Sequence, residues 1–322
     1  MAKIFVTRRI PAIGLNLLKE VGHEVVVSEK DGVLTREELN VALAANSYDA
    51  ILSLLSDTID DSVLAVAPQV KIVANYAVGY NNIDIGAAKV RGVVVTNTPG
   101  VLTDTVAEFT IALMLAAVKR IPEADRFTRA GRFEGWAPEL FLGSDVAGKT
   151  LGILGAGRIG CAVATRAEQG LGMKIIYNDI MRAPAFESQV TSTFKDSIET
   201  VLREADVISI HVPLLPSTNH LITAERLSLM KPTAYLINTS RGAVIDEQAL
   251  VTALKNKIIR GAGLDVFEYE PAITKELLSL DSVVLTPHIA SGSEETRNKM
   301  SAIAAQNIVD FFATGNPQNP VE

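Results

Sequence analysis

GILGAGRIG, residues 152–160, lies where a buried strand (Thr150–Leu154) runs into a glycine-rich turn and then a helix that Gly170 is expected to stop. Gly155, Gly157 and Gly160 permit a tight turn, close approach of backbone to a pyrophosphate, and close packing of helix on strand. The helix start adds free N–H groups and a partial positive charge at Arg158 and Ile159. A second apolar run, 173–178, ends on Asp179, about two dozen residues beyond Gly155. A carboxylate there can accept hydrogen bonds from both hydroxyls of an adenosine ribose and repels a 2′-phosphate. Strand, turn, helix, strand and acid in this order predict a dinucleotide site, with NAD as the cofactor and NADP as the alternative.

Outward from this stretch the same rhythm holds. From Ile4 to about Thr96, the runs IFVT, HEVVVS, AILSLL, KIVANY and VVVTN read as strands, with helices over 12–21, 35–45, 60–67 and 83–91 between them. Strand followed by helix, repeated, means a parallel sheet with helices on its faces. Val78-Gly79-Tyr80-Asn81-Asn82 directly follows a strand; it is either an ordinary turn or a loop offering its N–H groups. Thr96-Asn97-Thr98-Pro99-Gly100 breaks the pattern and reads as a hinge. Residues 105–130 then read as one long helix, apolar nearly all round over 109–118 and so buried between layers or subunits. The loop GRFEGWAPELFLG carries the only tryptophan, Trp136. So apolar a loop must pack on its own chain or, as an arm, on a partner. Beyond Asp179, VISIHV, AYLINT, GAGLDVF and VVLTP read as strands of a second doubly wound domain, and a last helix over 293–312 returns to the first domain.

Composition sets limits on what such a chain does. With 322 residues and 48% hydrophobic content it supports two cores. A formal net charge of −7 argues against broad nucleic-acid or anionic-membrane binding, so an anionic substrate must meet a local cation. The single cysteine, Cys161, excludes an intrachain disulfide, and no Cys/His cluster has zinc spacing, so no metal is expected. Neither a signal-peptide pattern nor an apolar run long enough to span a membrane is present, which gives the expectation of a soluble, cytoplasmic protein.

In open parallel sheets ligands bind outside the carboxyl ends of the strands. Arg241, Glu270 and His288 each stand just past such an end. Singly they read as a turn arginine, a surface acid before Pro271 and a helix-approach histidine. Beside a nicotinamide site they form a hydride-transfer set. Reducing a 2-keto acid leaves negative charge on the carbonyl oxygen, so a proton must be delivered there and the carboxylate anchored. His288 is the natural acid, with Glu270 favouring its protonated form. Arg241, fork-shaped and permanently charged, suits the carboxylate and the carbonyl. The amides of Val78 and Gly79 would complete the carboxylate site by domain closure, and Asp265 could accept from the nicotinamide carboxamide.

The segments VGYNNID, GKTLGILGAGRIG, HVPLLPST, NTSRGAVIDEQAL, GAGLDVFEYEP and TPHIASGSEETR resemble the D-isomer-specific 2-hydroxyacid dehydrogenases over almost the whole chain. The resemblance is greatest to the glyoxylate and hydroxypyruvate reductase branch. It implies a Rossmann NAD-binding domain (100–287) inserted into a discontinuous flavodoxin-like substrate domain (1–99 and 288–322). It also implies a homodimer built through the cofactor domains, with a dimerisation arm near 118–146. The catalytic roles fall on Arg241, Glu270 and His288. Cofactor contacts extend to His211, Val212, Pro213, Thr218, Thr239, Ser240, Asp265 and Ser291, and substrate contacts to Val78, Gly79 and Trp136, the last reaching the neighbouring subunit's site. Two departures stand out: Val106 replaces a Thr of many relatives, and Arg182, near Asp179, keeps NADP in play. No regulatory domain of the kind carried by many phosphoglycerate dehydrogenases is expected. A dinucleotide-sensing protein on the same fold, or a dehydrogenase for 2-ketogluconate, phosphoglycerate or phosphite, is the alternative.

Overall fold

Aliphatic runs bounded by Gly, Pro or Asp become strands, those inside each sheet buried on both faces, as parallel sheets covered by helices require. A computed structural model describes residues 1–321 of the protein. The chain divides into two compact units, Met1–Leu102 with the segment from Gly292 onward, and Thr103–Ser291; the sequence reading drew the breaks after Pro99 and Pro287.

In the first unit β1 (Lys3–Val6), α1 (Ala12–Glu20), β2 (Glu24–Val27), α2 (Arg36–Ala44) and β3 (Ala50–Leu54) alternate. They are followed by α3 (Asp61–Val66), β4 (Ile72–Tyr76), α4 (Ile85–Val90) and β5 (Val94–Thr96). The five strands pair in the order β2-β1-β3-β4-β5, all parallel, the flavodoxin-like order. Helix starts carry the expected caps. Thr35 and Glu38 form a capping box on α2, while Asp60 and Asp84 accept from Val63 N and Ala87 N, each cap contributing about 1 kcal/mol.

The second unit opens with α5 (Thr103–Val118) and α6 (Ile121–Arg129), then β6 (Thr150–Leu154), α7 (Arg158–Leu171), β7 (Lys174–Asn178), α8 (Pro184–Glu187) and β8 (Ser192–Phe194). It continues with α9 (Ile198–Glu204), β9 (Val207–Ile210), α10 (Ala224–Leu227), β10 (Tyr235–Asn238), α11 (Glu247–Lys255), β11 (Gly261–Leu264) and β12 (Val283–Leu285). Seven parallel strands run in the order β12-β11-β10-β9-β6-β7-β8, so the order reverses between β6 and β9. That reversal opens a crevice at the carboxyl ends of these two strands, where a Rossmann sheet binds its ligand.

The last helix, α12 (Glu294–Thr314), belongs to the first unit. Ser301 on α12 bonds Gly14 N at 3.2 Å and Pro11 O at 2.7 Å. A Cβ at Gly14 would collide with the Ser301 backbone, so glycine is what lets α1 and α12 touch. Tyr76 Oη donates to Arg297 O at 2.7 Å, tying α12 to β4.

Two expectations are corrected. The single helix over 105–130 is two, broken at Arg120, which sits at φ 57°. Pro122 in the first turn of α6 has no N–H to give to the carbonyl of Val118 and would clash with it; Val118 O instead accepts from Ser144 N at 3.1 Å. The helix after the glycine-rich turn passes through Gly170 and ends at Gly172, whose φ of 63° makes the left-handed cap.

Candidate active site

The 155–160 turn begins where β6 meets β9. Gly155, at φ 99°, lies so close to the next strand that a Cβ would come within 2.8 Å of the His211 carbonyl. There His211 N donates to Leu154 O at 2.7 Å. Gly160 packs α7 onto the turn, since a Cβ there would meet Gly155 O. At Gly157 a Cβ would meet nothing within 4 Å, so the turn's outer edge is open to a bound group. The first bond of α7 runs from Cys161 N to Gly157 O at 2.9 Å, leaving the Arg158, Ile159 and Gly160 N–H groups at the positive end of the helix. This cradle fits the pyrophosphate of a dinucleotide.

Asp179 follows β7 and is bolted to the same turn. Its Oδ2 accepts from Ala156 N and its Oδ1 from Ile180 N, both at 2.7 Å. Each oxygen keeps acceptor capacity for a ribose hydroxyl. Arg182, which kept NADP in play, bonds both oxygens of Glu187 at 2.9 Å. Glu187 in turn accepts from Tyr177 Oη at 2.8 Å.

Other expected cofactor residues are committed to one another. Thr218 Oγ1 closes the VPLLPST loop by donating to Pro213 O at 2.6 Å and accepting from Leu215 N at 2.8 Å. Thr239 Oγ1 meets Thr110 Oγ1 of α5 at 2.8 Å, and Ser240 N bonds Asn238 Oδ1 at 3.0 Å. His211 Nε2 lies 2.8 Å from Ser209 Oγ; desolvation pushes its pKa down to about 3, so the ring is neutral at physiological pH.

The three catalytic candidates lie in the second unit, on loops after β10, β11 and β12. His288 Nδ1 is 2.9 Å from Glu270 Oε2, and Glu270 Oε1 accepts from Phe267 N at 2.9 Å. Burial raises the Glu270 carboxyl, but the His288 bond and charge, the Phe267 N–H and Arg241 outweigh it and hold the pKa below its ordinary value. Glu270 is therefore an anion that keeps the His288 proton on Nδ1, leaving Nε2 for a reactant. Arg241 is half-buried, with Nη1 donating to Ser240 O at 2.7 Å. Desolvation presses its pKa down and the Glu270 charge pulls it back up.

His288 occupies the left-handed region at φ 54°, a conformation rare for a residue with a side chain and common at working sites. Asp265 is what holds it. That residue is fully buried. Its Oδ1 takes Thr286 Oγ1 at 2.7 Å and Ile289 N at 2.9 Å, and its Oδ2 takes Ala290 N at 2.8 Å. His288 N donates to Asp265 O at 2.8 Å. Three of about four acceptor sites on the carboxylate are used for the turn, a task the sequence reading did not assign.

A second support also went unseen. Glu247 and Glu268 bond each other's backbone N–H, at 2.9 and 3.0 Å, and His220 Nε2 lies 2.6 Å from Glu268 Oε1. This clasp joins the start of α11, just past Arg241, to the loop that carries Glu270. His220 is placed here by its backbone N–H, which donates to Ala243 O at 2.8 Å. Acids at both loop ends were visible in the sequence; their pairing across 21 positions was not.

In the first unit Val78 and Gly79 lie in the loop after β4, both half-buried. The arm of the second unit is exposed: Trp136 at 86%, Phe133 at 61% and Leu142 at 57%, and α6 buries no residue. Phe141 is anchored, edge-on to Phe127 and beneath Arg120. Among the described residues no helix is long and apolar enough to cross a membrane, and no group of three His, Cys, Asp or Glu could hold a metal ion.

Residues 111–290 match the family described as D-isomer specific 2-hydroxyacid dehydrogenase, NAD binding domain. The glyoxylate reductase of Thermococcus litoralis is 47% identical over 99% of this chain and 96% of its own. That of Korarchaeum cryptofilum is 48% identical over 99% and 95%. Among solved structures, the NADPH-dependent glyoxylate/hydroxypyruvate reductase of Sinorhizobium meliloti, in complex with NADP and malonate, superposes with a TM-score of 0.86 at 37% identity, covering 99% of this chain and 96% of that one.

Proposed function

Because the chain belongs to the D-isomer-specific 2-hydroxyacid dehydrogenases, oxidoreductases acting on 2-hydroxy acids, we propose that it reduces glyoxylate or hydroxypyruvate to glycolate or D-glycerate with NADH. The observation that carries this reading is the 2.9 Å bond between His288 and Glu270 beside the half-buried Arg241. Bound along the 155–160 turn, the nicotinamide cofactor supplies the hydride. Protonated His288 then gives its Nε2 proton to the carbonyl oxygen as charge develops there. Glu270 orients the ring through Nδ1. Arg241 anchors the substrate carboxylate and polarises the carbonyl. Val78 and Gly79 are the proposed amide donors to that carboxylate, and the remaining acceptor site of Asp265 is offered to the nicotinamide carboxamide. Arg158, Val212, Pro213 and Ser291 stay as proposed cofactor contacts.

The deciding experiment mixes the protein with NADH and, in turn, glyoxylate, hydroxypyruvate, pyruvate and 2-ketogluconate, following cofactor oxidation. Tight NADH binding without turnover of any of them would sink the reductase and leave the sensor.

Asp179 supports NADH over NADPH, because its carboxylate would face a 2′-phosphate, and Arg182 is engaged by Glu187. Asp179→Ala is expected to narrow the ratio of kcat/KM for NADH over NADPH by about tenfold or more, a change of roughly 1.4 kcal/mol; an unchanged ratio would remove the ribose assignment.

The exposed apolar arm supports a homodimer, in which Trp136 would reach the partner's substrate site. Pairing Phe133→Glu with Leu142→Glu should turn a dimer into a monomer in light scattering. A wild-type protein that is monomeric at micromolar concentration would rule this out.

A further inference from the structure

The N–H groups of Val78, Gly79 and Tyr80 find no acceptor among the described residues, although Val78 and Gly79 are half-buried, where amides are normally bonded; Tyr80 is exposed. Their neighbouring carbonyls, by contrast, are all taken. Thr98 N donates to Ala77 O at 2.9 Å, Asn97 Nδ2 to Val78 O at 2.7 Å, and Asn75 Nδ2 to Gly79 O at 3.0 Å. A trans peptide carries its C=O and N–H on opposite edges of one plane. Each bond to a carbonyl therefore turns the following N–H the other way: Ala77 O sets Val78 N–H, Val78 O sets Gly79 N–H, and Gly79 O sets Tyr80 N–H.

The holding side chains are held in their turn. Asn82 Nδ2 donates to Leu54 O at 3.1 Å and Asp57 O at 2.9 Å, two acceptors that only its NH2 can satisfy. Its Oδ1 is thereby turned to Asn75 Nδ2, 3.2 Å away. Asn75 Oδ1 accepts from Ser53 Oγ at 3.2 Å. Asn75 is fully buried on β4, between Ala74 and Tyr76 and opposite Ser53 of β3, a place where an amide costs stability unless every group is bonded. Packing alone would favour Val or Leu there.

We propose that Asn75 and Asn97 are positioning residues for the keto acid. By gripping the carbonyls of Gly79 and Val78 they keep the loop's N–H groups aimed outward, ready for a carboxylate. The inference rests on the reductase reading above. A preset amide needs no reordering when the anion arrives, so losing a grip should weaken substrate binding and leave the chemical step alone.

Two variants test it. Asn97→Ala removes one grip, and Asn75→Asp keeps the shape while setting an oxygen against Gly79 O. Each is expected to raise KM for glyoxylate about tenfold, as for one lost hydrogen bond, with kcat and NADH affinity within about twofold. Should Asn75→Asp fail to fold, the half-buried Asn97 carries the test. An unchanged KM, or a matched fall in kcat and NADH affinity, would overturn the proposal. A readout free of turnover accompanies it. Oxamate added to the NADH-bound protein should shift the amide NMR signals of Val78, Gly79 and Tyr80, and Asn97→Ala should need about tenfold more oxamate. Equal concentrations in both proteins would also overturn it. A wild type that binds oxamate at these amides but reduces no keto acid defeats the reductase reading and leaves the positioning role standing.

Discussion

Replacing His288 by Ala is expected to lower kcat for glyoxylate reduction by about 10²–10⁴-fold, the usual worth of a general acid, while NADH binds as before. The separation follows from how the residue is held. The turn around it is fixed by backbone groups, with Ile289 N and Ala290 N on the Asp265 carboxylate and His288 N on Asp265 O, so removing the ring leaves the turn in place. Glu270 loses a partner and becomes easier to protonate. In the wild-type protein its depressed pKa means that its pairing contributes stability fully above the unfolded value of about 4.3. That contribution is lost as pH falls through the lower folded value. Urea unfolding should therefore show the stability contributed by this pairing, absent from His288→Ala, holding down to about pH 4.3 and disappearing below it, beside the loss of kcat. Steady-state kinetics with parallel NADH fluorescence titrations check the latter, and an equal loss of cofactor affinity would count against a proton donor.

For Arg241 the expected loss appears in kcat/KM. Arg241→Gln keeps an amide near Ser240 O but removes a half-buried charge, and should cost about 3–5 kcal/mol, or 10²–10⁴-fold. The size of the effect comes from desolvation: the same burial that presses the guanidinium pKa down leaves little water to screen a bound carboxylate. Arg241→Lys retains the charge without the fork, so it should fall between the two. A lysine variant within tenfold of wild type would show that charge alone suffices and refute the two-pronged grip.

How much of this was legible follows from the range of the interactions. The strand, turn and helix over 150–171 could be read because period and glycine spacing are local. The three catalytic candidates could be read because a strand end followed by Arg, Glu or His is also local. The break at Arg120 was legible too, since Pro122 is a local signal that ends a helix, but the apolar run over 109–118 outweighed it in the reading. The task of Asp265 depends on Thr286, Ile289 and Ala290, brought near only by the register Leu264↔Leu285 of β11 on β12. Likewise Asn75 was read only as part of the strand KIVANY, and Asn97 only as part of the Thr96–Gly100 hinge. Only the pairing of β4 with β5 puts Asn97 against Val78.

The contact of Gly14 with Ser301 orders the protein's life on the ribosome. Everything needed for the seven-stranded sheet has left the tunnel once Ser291 has followed Thr103, and domains tend to fold as units while synthesis proceeds. The first unit is different. The start of its chain emerges first, but the face of α1 that holds Gly14 stays bare until α12 is made, 287 positions later. The segment synthesised earliest is thus completed last, and a nascent chain stalled before α12 should present that bare face to chaperones.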